Sequence, residues 1–213
     1  MIDFATARAA MVRDQIAGRG IRDPAVLAAF HEVPRELFVP EHLRAQAYED
    51  RALPIEAEQT ISQPYIVAVM LAAARLSPHD HVLEVGAGSG YAAALIAHLA
   101  RSVVGVERHA ELAALARGRM HRLGLVNVSI VHGDGTRGYP PAAPFDVIMC
   151  AAAGREVPRE WLEQLAPGGR IIMPMGPQDG LQHLVRLTRQ PDGRLHREEL
   201  EPVRFVPLIG GEA

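Results

Sequence analysis

Val82-Leu83-Glu84-Val85-Gly86-Ala87-Gly88-Ser89-Gly90-Tyr91 is a short apolar run that breaks into alternating glycines and resumes as an Ala-rich helical pattern. That order predicts a strand, a tight loop and a helix. Glycine lets the chain turn sharply and lets a ligand approach the main chain, where the first N–H groups of a helix would face it. A dinucleotide fingerprint needs its third glycine one position later, where this chain carries Tyr91. Gly86-x-Gly88-x-Gly90 therefore looks less like a phosphate clamp. A glycine-rich turn without any ligand is the plainer alternative.

Downstream, strand and helix patterns alternate. Val103 to Glu107 reads as a second strand, Ala110 to Leu123 as a helix stopped by Gly124, and Val128 to Val131 as a third strand before His132-Gly133-Asp134-Gly135. Phe145 to Cys150 follows as a strand, Glu160 to Leu165 as a helix carrying Trp161, and Arg170 to Met175 as a strand after Pro167-Gly168-Gly169. Repeated βαβ units predict an α/β fold with a doubly wound, Rossmann-like, mostly parallel sheet. From Leu181 the pattern changes. Leu181 to Thr188, a Pro191-Asp192-Gly193 turn, Leu195 to Leu200 and Val203 to Leu208 read as an antiparallel addition to one edge.

Upstream, apolar positions from Phe4 to Ile16 repeat at helical spacing until Gly18-Arg19-Gly20. Asp23-Pro24 looks like an N-cap and first helical residue, opening a second helix through Val26, Leu27 and Phe30. Ser62 is placed to cap a third helix that starts near Pro64, a duty worth about 1 kcal/mol. The expected organisation is an N-terminal helical subdomain over 1–58, a nucleoside-binding core over 59–176 and C-terminal antiparallel strands over 177–213.

The composition narrows the class. With 48% hydrophobic residues and a net charge of −3, the 213-residue chain can bury a substantial core and has no basic run for a nucleic acid or membrane surface. The one cysteine, Cys150, sits in an apolar strand and cannot form an internal disulfide, which fits a cytoplasmic protein. No secretory leader is read at the first residues, and apolar runs fall short of the roughly 20 residues that cross a bilayer. The histidines are scattered without ligand spacing, so no metal is expected. A monomer is expected.

In an open α/β sheet, ligands bind beyond the carboxyl ends of the strands. The second strand ends in Glu107, where a carboxylate can accept two hydrogen bonds from vicinal ribose hydroxyls; the alternative is an exposed terminal acid. Asp134, between two glycines, suits an exocyclic amino group or closes an Asx-turn. Glu84 places an acid just before the glycines, and no Lys-Ser/Thr phosphate cradle is present. Such a site suits a cationic nucleoside, S-adenosylmethionine, better than NAD or ATP.

Val82 to Tyr91, Glu107 and His132-Gly133-Asp134-Gly135 resemble the motif set of class I S-adenosylmethionine-dependent methyltransferases. Val33-Pro34-Arg35-Glu36-Leu37-Phe38-Val39-Pro40, Gln59-Thr60-Ile61-Ser62-Gln63-Pro64-Tyr65, Ala143-Pro144-Phe145-Asp146 and Val203-Arg204-Phe205-Val206-Pro207-Leu208 narrow the resemblance to the protein-L-isoaspartate O-methyltransferases. That resemblance implies an enzyme that methylates the free α-carboxylate of L-isoaspartyl residues in damaged proteins and peptides, initiating repair through a succinimide. It implies a catalytic role for Ser62. It further implies cofactor contacts from Gln59, Thr60, Ile61, Ser62, Glu84, Gly86, Ala87, Gly88, Ser89, Glu107, Arg108, Asp134 and Gly135. Substrate contacts would come from Thr60, Ser62, Val203, Arg204, Phe205 and Val206.

The chain departs from the family where glycines commonly precede Gln-Thr-Ile-Ser: it carries Glu56 and Glu58. It also carries Gly154 where a proline is frequent. Two other readings remain: a same-fold O-methyltransferase for another peptide or small-molecule carboxylate, and a non-catalytic module that binds the cofactor and serves in protein interaction.

Overall fold

The computed structural model describes residues 2–213. Helix α1 (Phe4–Ala10) is capped by Asp3 and runs on through a wider π turn (Met11–Ile16) and a tight 3-10 turn (Ala17–Arg19), ending where Gly20 turns left-handed. Helix α2 (Pro24–Glu32) starts as its sequence predicts, with the Asp23 carboxylate accepting from the N–H groups of Ala25 and Val26. Two short strands, β1 (Leu53–Pro54) and β2 (Thr60–Ile61), pair antiparallel as a ribbon. Its connecting loop straddles the boundary expected between 58 and 59. Helix α3 (Pro64–Ala74) follows.

The core then alternates: β3 (His81–Val85), α4 (Tyr91–Ala97), β4 (Ser102–Glu107), α5 (Ala110–Arg122), β5 (Val128–His132), β6 (Phe145–Cys150), α6 (Arg159–Gln164), β7 (Leu165–Met175), β8 (Gln182–Arg189) and β9 (Leu195–Val203). The seven strands lie in the order β5-β4-β3-β6-β7-β8-β9, parallel from β5 to β7 and antiparallel for the last two pairings. This is the expected doubly wound sheet with an antiparallel edge. The chain leaves β3 to one side and returns to its other side as β6, so the order reverses there, which is where open α/β sheets form ligand crevices.

Side chains along β3 alternate between two cores, as the pleat requires. Val82 joins a cluster with Phe30, Phe38 and Tyr91, which draws α1, α2 and the 3-10 turn at Arg35–Phe38 onto one face. Leu83 and Val85 join Phe145, Trp161 and Leu165 on the other. The N-terminal helices therefore share a core with the sheet. At Gly90, with φ +86°, an added Cβ would meet Met120 Cε at 3.0 Å and Ala116 Cβ at 3.1 Å, so the absent side chain lets the glycine loop lie against α5.

Two expectations are corrected. Ser62 does not cap α3: the cap is Gln63, which makes no side-chain bond, because Pro64 already occupies the first helical position. Val203 to Leu208 is not a strand. Strand β9 ends at Val203, and the chain beyond it leaves the ladder, since the buried Gln182 side chain takes both backbone groups of Phe205 and Pro207 has no N–H to donate.

Candidate active site

One cavity of about 920 Å³ opens at the carboxyl ends of β3, β4 and β6. Its floor is the glycine loop, with Gly86, Gly88 and Gly90 all at positive φ. Glu107, at the end of β4, fixes that loop: its Oε2 accepts from Gly88 N at 2.7 Å and its Oε1 from His109 N at 2.9 Å. Each carboxylate oxygen keeps a lone pair for a further donor. Glu107 is buried yet reaches the cavity, as do Arg108 and His109. The Arg108 Nε is buried without a partner.

Glu84 lies beneath the loop. Its cross-strand neighbour is Gly105, so its side chain packs over bare backbone, where it is only 2% exposed. Its Oε2 has no hydrogen-bond partner. Burial, and next the nearby Glu107, push the Glu84 carboxyl well above the ordinary carboxylate range.

Asp134 closes an Asx-turn, the alternative to the amino-group contact. Its Oδ1 accepts from Thr136 N at 2.9 Å and Thr136 Oγ1 at 2.6 Å, and its Oδ2 accepts from Gly211 N at 2.8 Å. Partial burial pushes its carboxyl up, but these three donors outweigh it and hold the group below the usual range. The next residue, Gly135, lines the cavity and is anchored from behind by Trp161 Nε1, which donates to its carbonyl at 2.8 Å.

The opposite wall comes from the β2 ribbon and the segment after β9. Gln59, Thr60 and Ser62 face the cavity from the ribbon side; Val203, Arg204, Phe205 and Val206 face it from the other. Beyond the short β1–β2 pairing and the end of β9, both are irregular backbone held by side chains. Arg35 is fully buried; its Nε donates to Ala47 O at 2.8 Å and its Nη2 to Ser62 O at 2.7 Å, while its guanidinium carbon lies 4.8 Å over the Tyr91 ring. On the far side, Gln182 Oε1 accepts from Phe205 N at 2.7 Å and Gln182 Nε2 donates to Phe205 O at 3.3 Å. Ala153 adds a second hold, donating to Val206 O at 2.7 Å and accepting from Leu208 N at 2.8 Å.

A family model described as protein-L-isoaspartate(D-aspartate) O-methyltransferase matches residues 6–213. The chain belongs to that family. It is 54% identical, over 95% of its length and 93% of the relative's, to a protein-L-isoaspartate O-methyltransferase of Rhodopseudomonas palustris strain CGA009. It is 52% identical to protein-L-isoaspartate O-methyltransferase 1 of strain HaA2 of the same species, over 98% of this chain and 85% of that one. Among solved structures, a Plasmodium falciparum protein described as a putative protein-L-isoaspartate O-methyltransferase in complex with S-adenosyl-L-homocysteine superposes with a TM-score of 0.81. That match covers 98% of this chain and 99% of the other at 25% identity.

Seen as a member of this methyltransferase family, the chain brings most of its sequence-predicted residues to one cavity. Gln59, Thr60, Ser62, Gly86, Gly88, Glu107, Arg108, Gly135 and Val203 to Val206 line it. Ile61, Glu84, Ala87, Ser89 and Asp134 do not; Ile61, Glu84, Ala87 and Ser89 are buried behind the wall, and Asp134 sits at its margin. Glu56 and Glu58 also stay off the lining. Sequence reasoning missed Arg35 and Gln182, whose only signal is a polar residue inside an otherwise apolar, core-bound segment. It also missed His109, whose signal is its place two residues past Glu107 at the start of α5. Among the described residues, no group of His, Cys, Asp and Glu is arranged to hold a metal ion, and no helix is long and apolar enough to cross a membrane.

Proposed function

We propose that this chain transfers the methyl group of S-adenosylmethionine to the free α-carboxylate of L-isoaspartyl residues in damaged proteins and peptides. The observation that carries this reading is the sharing of one cavity by the glycine loop with Glu107 and by the Thr60, Ser62 and Val203–Val206 walls. Its volume of about 920 Å³ is at the upper end of the usual range for small-molecule sites, which suits a nucleoside cofactor together with a length of peptide.

The residues present fit the cofactor. Gly86 and Gly88 bring bare backbone to the floor, Glu107 retains acceptor capacity for ribose hydroxyls, and Asp134 keeps capacity at the margin for an exocyclic amine. The buried, unpartnered oxygen of Glu84 puts latent negative charge beneath the loop, which favours a cation. When bound, S-adenosylmethionine supplies an electrophilic methyl group on a sulfonium centre.

The protein's own task is placement. The Ser62 hydroxyl, free of capping duty, and the Thr60 hydroxyl donate to one oxygen of the isoaspartyl carboxylate and leave the other free to react. An α-carboxyl with an ordinary pKa of about 3.5 is already ionised near neutral pH, so no general base is required. Neutral hydroxyls orient that carboxylate without quenching it as a cation would. The segment from Val203 to Val206, preorganised by Gln182, offers an apolar bed for the substrate backbone. In the released methyl ester, the amide nitrogen of the following residue attacks the ester carbonyl and methanol leaves. Water then opens the succinimide at either carbonyl, returning part of the damage to aspartate.

A single unpaired cysteine, buried in β6 with its thiol pushed up to about 12 by burial, supports a cytoplasmic protein without disulfides, and we read the chain as monomeric. Transfer of labelled methyl from the cofactor to an isoaspartyl peptide, but not to its aspartyl twin, is the expected result. Transfer to neither, with cofactor binding intact, would remove the proposal. Ser62→Ala should lower turnover on the order of 10²-fold while affinity for S-adenosylhomocysteine stays near its original value.

A further inference from the structure

The loop between β1 and β2 carries two consecutive non-glycine residues in the left-handed region, Ala57 at φ +54° and Glu58 at φ +56°. Such a conformation costs energy and persists only where its surroundings enforce it. Part of the enforcement is local: Gln59 N donates to Glu56 O at 3.2 Å, Ile55 N to Gln59 O at 2.9 Å and Gln59 Nε2 to Ala57 O at 3.1 Å. The rest reaches across the molecule. Glu56 Oε1 lies 3.8 Å from Arg119 Nη2, and Glu56 Oε2 is buried with no other partner.

Arg119 stands on α5 with a side chain only 9% exposed, hydrogen-bonded through Nε and Nη1 and ion-paired to Glu56 through Nη2. Its Nη1 donates to the carbonyl of Ser89, between Gly88 and Gly90, at 3.0 Å. Its Nε donates to Leu37 O at 3.0 Å. One planar guanidinium thus touches the ribbon that carries Thr60, the glycine loop and the N-terminal layer. Its fork hydrogen-bonds the glycine loop and the N-terminal layer at once while turning its third nitrogen toward Glu56, an arrangement that a lysine ammonium would not reproduce.

We propose that Glu56 and Arg119 form a latch that couples the cofactor loop to the substrate ribbon, so that Arg119 is a positioning residue for methyl transfer and Glu56 its ribbon-side grip. The proposal rests on the reading of the glycine loop as the cofactor seat and of Thr60 and Ser62 as the carboxylate seat. Filling the first seat steadies Ser89, which steadies Arg119, which holds the Glu56 end of the left-handed loop. Coupling of this kind is reciprocal: the cofactor raises affinity for peptide by the same factor as peptide raises affinity for the cofactor. Glu56 and Glu58 stand where the family commonly carries glycines; at Glu58, φ +56°, bare backbone would adopt the turn freely, and in this chain the neighbouring Glu56 holds the loop by charge.

The experiment is hydrogen exchange of residues 53–61 with and without S-adenosylhomocysteine, joined to steady-state kinetics with an isoaspartyl peptide. In the wild-type chain the product nucleoside should slow exchange across the ribbon, and in Glu56→Gln it should not. The same variant should raise the peptide KM roughly five-fold or more, with kcat and S-adenosylhomocysteine affinity little changed. Arg119→Lys keeps the charge but loses the fork, so it should weaken both peptide and nucleoside binding. Asp80→Asn serves as the structural control, because it breaks the 2.6 Å ion pair with Arg170 at the opposite end of the sheet. It should lower the melting temperature without moving the peptide KM. Ribbon exchange unaffected by the nucleoside in the wild-type chain, or a Glu56→Gln variant with unchanged peptide KM, would overturn the latch. Absence of methyl transfer by the wild-type chain would instead count against the substrate assignment, since the exchange measurement needs no turnover.

Discussion

The two walls of the cavity are made differently. The side proposed for the cofactor is built from regular structure: parallel strands end in register, three glycines take positive φ, and one carboxylate ties the glycine loop to the start of α5 by holding Gly88 N and His109 N. The side proposed for the substrate is a two-residue strand and irregular backbone held by single buried side chains, with Arg35 on Ser62 O, Arg119 ion-paired to the ribbon loop and Gln182 on Phe205. The first wall is stiff because its hydrogen bonds belong to a sheet with many neighbours. The second depends on a few contacts, so a single substitution can alter peptide binding there while the cofactor site stays whole.

The largest effect should come from Glu107, whose one carboxylate ties the glycine loop to the turn before α5. Hydrogen bonds to a charged acceptor contribute about 1.5–3 kcal/mol each, and leaving Gly88 N unpaired adds its own desolvation cost. Glu107→Ala should therefore weaken S-adenosylhomocysteine binding by roughly 10- to 100-fold in calorimetry, with a smaller change in turnover at saturating cofactor. Unchanged affinity would mean that the sheet alone holds the loop in shape and that the carboxylate makes no bond to the nucleoside.

Gln182→Ala tests the other wall. It removes two hydrogen bonds from Phe205 in a site where Gln182 is only 1% exposed, so the segment after β9 should loosen and the peptide KM should rise roughly tenfold. Nucleoside affinity should not follow. Gln182→Glu sharpens the test: it still accepts from Phe205 N but sets a carboxylate against Phe205 O, and should restore less than half of the lost affinity. Equal damage to both ligands would show that Phe205 supports the whole cavity.

What could be read from the sequence divides along the same line. The strand, loop and helix of Val82 to Tyr91 and the acid at Glu107 were legible because local periodicity fixes strand ends, and strand ends fix where ligands bind. Ser62 was found through its motif, whereas its supposed capping role failed once Pro64 took the first helical position. Arg35, Arg119 and Gln182 were illegible for a physical reason. Each acts on a backbone carbonyl or N–H of a segment not adjacent in the chain, and a polar residue gives no periodic sign that it will be buried. The end of β9 at Val203 escaped notice likewise, because an apolar run reads as a strand until a distant side chain competes for its hydrogen bonds.

Glu84 stands between the two cases, legible as an acid but placed under the cavity wall, and its effect should be the smallest. Its carboxyl is held well above the ordinary glutamate value of about 4.3 by burial and next by Glu107. Below that value the group is protonated both folded and unfolded, so its burial brings no pH-dependent cost. As pH rises, the unfolded chain releases the proton while the folded chain retains it, and stability falls until the folded group ionises as well. Glu84→Gln removes this titration, so without ligand its melting temperature should decline less than the wild type's from about pH 5 to about pH 8. A cationic nucleoside favours the ionised group. Affinity of the wild-type chain for S-adenosylmethionine, with its sulfonium, should therefore climb with pH more than its affinity for the net-neutral S-adenosylhomocysteine, and the difference should shrink in Glu84→Gln. Parallel pH profiles for the two proteins would assign the titration elsewhere and leave Glu107 and Asp134 as the acids that the cofactor wall uses.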